Sequence, residues 1–106
     1  MTQQEIINTI ADDIGTNTYR ARIHRELAQL GHEEDEMYYN AYTEMGKASG
    51  FLECLIYLTG EYHHTIYKVA CERAEYDIAY AKGDIVRLLA LADSESKDYH
   101  QLINDH

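Results

Sequence analysis

Glu61-Tyr62-His63-His64 is the stretch of this chain whose side chains come nearest to a metal-binding pattern. Glu61 and His64 stand three apart, the spacing at which dimetal carboxylate bundles carry two ligands on one helix face. Such a centre takes two Glu-x-x-His pairs and two further glutamates. Here there is one pair, and Glu53 on the preceding segment is the further acid that could face inward. Glu61 and His64 are therefore weak metal candidates. A solvated helix start explains them more simply, and the expectation is that the protein carries no metal and no cofactor.

Glu33-Glu34-Asp35-Glu36 gathers four carboxylates where a long helical pattern begins. Negative charge is favoured there by the helix dipole, with no ligand required. Glu33 and Glu36 also match the first half of a Glu-x-x-Glu…Glu-x-x-Asp pattern. With the apolar run Leu52 to Leu58, the segment resembles the all-α nucleotide pyrophosphohydrolases. That resemblance implies magnesium held by carboxylates and an activity on nucleotides. It reaches a quarter of the chain and departs from the family at Gly50, where a second glutamate would precede Glu53. Glu72 and Glu75 repeat the spacing without the expected Asp.

Tyr19-Arg20-Ala21-Arg22-Ile23-His24-Arg25 is the one basic cluster. Arg20, His24 and Leu27 share a helix face, and Arg22 and Arg25 share another. The cluster could grip a nucleic-acid backbone or an acidic partner. The preferred reading is internal: it neutralises the acidic run at Glu33 to Glu36. Tyrosine occurs 10 times. A helix cannot bury the adjacent Tyr38 and Tyr39 on one side, so at least one is exposed. Beside carboxylates, an exposed tyrosine is good interface material, because its ring offers area while its hydroxyl stays satisfied. No nucleophile–base pair and no Gly-rich phosphate loop is legible.

Helices must position these groups, since no strand alternation occurs anywhere. Thr2 and Glu5 have capping-box spacing ahead of Ile6, Ile7, Ile10 and Ile14. Gly15-Thr16-Asn17-Thr18 reads as a turn or kink, after which a second helix runs to Gly31. A third, from about residue 33 to 58, carries the stripe Tyr38, Ala41, Met45, Ala48, Leu52, Leu55, Thr59, whose spacings alternate three and four. Gly46 and Gly50 interrupt it. Each costs about 1 kcal/mol against alanine in a helix interior, so a closely packed neighbour is expected there. A fourth helix, about 61 to 82, has an alanine-rich core face. Gly83-Asp84 is a stop and restart. A fifth spans Ile85 to Ile103, frayed or bent at Asp93 to Ser96.

Composition bounds the function classes. The 106 residues support one domain over 1–106, and 19 acidic against 9 basic residues give a net charge of −10. Such a balance disfavours direct nucleic-acid binding, where neutralising phosphates supplies most of the affinity. It favours basic protein surfaces. No apolar run approaches the ~18 residues of a membrane span. The N-terminus shows no signal-peptide pattern. Cys54 and Cys71 read as reduced thiols, and the cytoplasm is the expected location.

The fold expected is an all-α antiparallel bundle of four to five helices with the long third helix at its centre. The function expected is non-enzymatic: binding, and with it inhibition, of a partner through Glu33, Glu34, Asp35, Glu36, Tyr38 and Tyr39. The partner is a protein with a basic surface, and a nucleic-acid-binding protein is one candidate. In general character, through no motif, the chain is similar to small acidic inhibitors of phages and mobile elements, such as anti-CRISPR and DNA-mimic proteins. The alternatives are the carboxylate-metal enzyme and a structural homo-oligomer, a homodimer among them, joined through the stripe of the third helix.

Overall fold

In the computed structural model, which describes residues 1–104, the chain is 80% helical with no strand. Five helices follow in order: α1 (Gln3–Gln29), α2 (Glu34–Thr59), α3 (His64–Ala81), α4 (Ile85–Ala92) and α5 (Gln101–Asn104). The all-α bundle holds. Its central helix, however, is α1, because the first two expected helices are one. α1 packs against α2, α3 and α4, whereas α2 makes close backbone contact with α1 alone.

Thr2 opens α1 as expected, its hydroxyl accepting from the Glu5 amide at 3.1 Å. The helix then passes straight through Gly15-Thr16-Asn17-Thr18. The turn expected there fails for a tertiary reason. Gly15 is buried, and the Tyr99 ring lies directly on it. Thr18 donates back to the Ile14 carbonyl at 2.8 Å, and Thr16 donates to the Ser96 carbonyl at 3.1 Å. These low-propensity residues form a smooth seat for another part of the chain.

α2 runs antiparallel to α1. His24 meets Glu44, while Ile10 lies near Leu58. Its heptad stripe faces α1: Ala41, Ala48 and Leu55 are buried, and Leu52 packs at the core edge. That stripe is thus used within the molecule. Gly46 and Gly50 lie on the opposite, solvent side, with nothing within 4 Å of an added Cβ. The close-packed neighbour expected there is absent, and the helix does not break. Gly60 ends α2 at φ 72°, a left-handed conformation that suits glycine.

α3 begins at His64, not Glu61. Its alanine face meets α1: Ala70 and Ala74 are fully buried. Asp77 of α3 meets Tyr19 and Glu75 meets Arg22, so α3 packs across the middle of α1 and makes no close backbone contact with α2. Asp84 caps α4 by accepting from the Arg87 amide at 3.2 Å. The expected fifth helix is divided. α4 stops at Ala92, and the chain continues without helix before the short α5. The break lets Tyr99 reach Gly15 and Asp98 reach Arg73. One core cluster joins Ile14, Ile23, Leu27, Leu55, Ile66, Leu88 and Tyr99.

Candidate partner-binding surface

Glu33 caps α2 with a left-handed backbone at φ 41° and no side-chain cap bond. Glu34, Asp35 and Glu36 fill the first turn, and all four acids are exposed. The basic side-chain nitrogen nearest to them is that of His32, whose Nε2 lies 3.5 Å from Glu33. The carboxylates therefore stand in solvent at the positive end of the helix dipole.

The arginine cluster does not neutralise them. Its role is internal, but its acids come from elsewhere. Arg20 donates to the Ala92 carbonyl at 2.9 Å and to Glu95 at 3.2 Å. Arg22 bridges Glu75 at 2.5 Å and Glu26 at 3.3 Å. His24 lies 2.5 Å from Glu44. These links tie α1 to α2, α3 and the segment after α4. Arg25 is exposed, and no carboxylate lies within 4 Å of it among the described residues.

Tyr38 and Tyr39 part company. Tyr39 is 70% exposed on the outer side of α2, and Tyr38 leans over a groove between α2 and α3. The groove exists because α3 crosses α1 and leaves α2 without a second neighbour. Its walls are Tyr38, Tyr42 and Met45 on one side and Tyr67 and Cys71 on the other. Thr18, Ala21, Arg22 and Arg25 of α1 form the floor, and the space amounts to about 340 Å³. Beyond Met45 and Thr18 it continues toward Leu52, Tyr62 and His64. Only Tyr19 and Tyr99 of the ten tyrosines are buried; the other eight are exposed.

A second cleft, of about 430 Å³, lies between α1, α3 and the segment after α4. Its polar groups are engaged with one another. The Tyr19 hydroxyl donates to Asp77 at 2.6 Å, and burial together with that carboxylate pushes its pKa well above the usual tyrosine value. Arg73 makes two 3.0 Å bonds to Asp98, and its guanidinium sits 4.7 Å from the centre of the Tyr99 ring. Hydrogen bonds from Arg73 and Ser96 hold the Asp98 carboxyl down at about 2. Burial raises Tyr99. This network braces the non-helical segment against α1 and α3. Nothing local in the sequence marks it, because its members are separated by tens of residues.

The weak metal candidates do not form a site. Glu61 precedes α3, so Glu61 and His64 do not share a helix face, and the His64 ring rests 4.0 Å from that of Tyr62. Glu75 is committed to Arg22, and Glu72 is exposed. Among the described residues, no three His, Cys, Asp or Glu side chains converge as a metal-ligand group. Cys54 and Cys71 are both free thiols; Cys54 is exposed, and burial raises the Cys71 pKa. No helix among the described residues is long and apolar enough to cross a membrane. No protein-family model matches this chain, and neither a curated protein nor a solved structure does.

Proposed function

We propose that the protein is a non-enzymatic binding module that presents an acidic, tyrosine-rich surface to a basic face of another protein. The observation that carries this reading is the meeting of two features at one end of the molecule. Four carboxylates stand free of arginine or lysine partners at the start of α2, and Tyr38 follows within a turn at the mouth of an open groove. The acids steer a basic partner. Tyr38, Tyr42 and Tyr67 supply aromatic area of the kind that anchors interfaces. Tyr39 lies on another side of α2 and does not belong to this surface. When the partner's basic face normally holds nucleic acid, occupation by Glu33 to Glu36 places carboxylates where phosphates would lie, and the outcome is inhibition by occlusion.

The test is kinetic. A partner captured from a native lysate is immobilised, and binding is followed at two salt concentrations. Replacing Glu33, Glu34 and Glu36 with Gln and Asp35 with Asn should slow association and flatten the salt response, because such steering is screened beyond ~8 Å at physiological salt. Tyr38→Ala should speed dissociation with little change in salt dependence. Salt-independent binding by the unaltered protein would overturn the reading, as would full binding after neutralisation.

A further inference from the structure

The solvent face of α2 lies outside the core and meets the groove only at Tyr42, which stands on the edge between them. At helical spacing it runs through Tyr39, Tyr42, Gly46, Gly50 and Tyr57, opposite the buried Met37, Ala41, Ala48 and Leu55. The three tyrosines are 70%, 83% and 90% exposed. Gly46 and Gly50 weaken the helix relative to alanine. Nothing within 4 Å of either offsets that loss inside the molecule. Between Tyr39 and Tyr57 the exposed charges are Lys47 and Glu53, since Glu44 is turned inward to His24. In a chain of net charge −10, this strip is neutral.

We infer that this face binds a second copy of the chain, the two α2 helices packing antiparallel about a two-fold axis beside Ala48. Two pairs on the face are symmetric about one position. Tyr39 and Tyr57 are equidistant from position 48, and so are Gly46 and Gly50. A two-fold axis sets Tyr39 of one copy against Tyr57 of the other, and glycine against glycine where the helices come closest. Tyr42 falls beside Glu53 of the second copy, placed for a hydroxyl-to-carboxylate hydrogen bond. Beside Gly50 lies a depression of about 430 Å³ whose lining includes Ile10, Cys54 and Leu58, and the Tyr39 ring of the second copy fills it.

Area and charge both favour this occupant. A tyrosine buries roughly 150–250 Å², so at these exposures the three rings offer about 500 Å² per copy. The glycines, Cys54 and the depression add to this toward the ~800 Å² per partner of a standard stable interface. A neutral strip is also where two like-charged chains approach with least repulsion, whereas a basic partner is drawn to Glu33 to Glu36. The two surfaces share only Tyr42 at their edge, and the dimer does not rest on the docking reading.

Light scattering on the eluting protein tests the inference. At ~100 µM the unaltered chain should run at twice its 12.3 kDa mass. Gly50→Leu should keep its helical circular dichroism, because the site is open in the single chain. In the dimer it forces the helices apart at both symmetric positions and should weaken association about 100-fold or more. Oxidised Thr43→Cys should form an interchain disulfide with the native Cys54, which lies across the axis at bridging distance. The unaltered protein should not crosslink, since antiparallel packing holds the two Cys54 residues about 18 Å apart along the helix. A single-chain mass at ~1 mM would overturn the inference. A dimer indifferent to Gly50→Leu, or a Cys54–Cys54 disulfide in the unaltered protein, would do the same.

Discussion

Gly15→Ala should destabilise this protein severely, although alanine is the better helix former. The residue sits inside α1, where alanine gains about 1 kcal/mol over glycine. An added Cβ, however, would lie on top of Cγ, Cδ1 and Cδ2 of Tyr99, whose side chain is 1% exposed. Neither partner can yield cheaply. The glycine is mid-helix, and the Tyr99 ring is held between α1 and the Arg73 guanidinium 4.7 Å from its centre. Displacing the ring exposes roughly 150–250 Å², or about 4–6 kcal/mol at about 25 cal/mol per Å². Partial relaxation and the alanine gain reduce this to a net loss of about 2–4 kcal/mol, a large share of the ~5–15 kcal/mol of a small domain. The melting temperature should fall by roughly 10–20 °C. A double-mutant cycle isolates the contact. In a Tyr99→Ala background the obstruction is gone, and Gly15→Ala should add about 1 kcal/mol of stability. Gly46→Ala, measured dilute so that self-association does not enter, should likewise add about 1 kcal/mol, because its Cβ meets nothing. A Gly15→Ala protein that melts higher than the unaltered one would refute the packing of Tyr99 on α1.

Leu55→Ala removes a fully buried side chain from the α1–α2 interface and should cost about 2–5 kcal/mol in urea unfolding; an unchanged midpoint would show that the α2 stripe does not face α1. The Asp98 carboxyl is held at about 2, below its ordinary 3.8. A lowered carboxyl pKa stabilises the fold above about pH 4 and loses that contribution as pH falls through about 2. The pair is 40% and 44% exposed, which limits the effect to about 1 kcal/mol or less. Asp98→Asn should therefore be slightly less stable near pH 6 and lose less stability than the unaltered protein between pH 4 and 2, as read from melts across that range.

Local chemistry was legible wherever a short stretch of chain decides the outcome. Thr2 and Asp84 cap helices, Gly60 and Gly83 stop them with positive φ, and the stripe from Ala41 to Leu55 faces inward. Each depends on a residue and its neighbours within one or two turns. The same logic misled at Gly15 to Thr18, where low helix propensity reads as a turn. Propensity differences there are near 1 kcal/mol per residue, and the seating of Tyr99 outweighs them. It misled again at Gly46 and Gly50. A glycine in a helix signals that something comes close, but not whether that something belongs to the same molecule.

Of the candidate surface, the sequence by itself determined the exposed carboxylates from Glu33 to Glu36, the exposure of at least one of Tyr38 and Tyr39, the all-α class and the net negative field. These follow from composition and from the period of a helix. Tertiary structure alone decided that Tyr38 and Tyr39 face different ways, that Tyr67 comes to Tyr38 across a groove, and that Glu75, Glu95 and Glu44 claim the arginine cluster and its histidine while Glu33 to Glu36 do not. The physical reason is the crossing of α3 over α1. Small residues at Ala70 and Ala74 let α3 meet α1 closely, with no close backbone contact to α2. That placement, which no periodicity encodes, sets which charges pair and which face of α2 is left open.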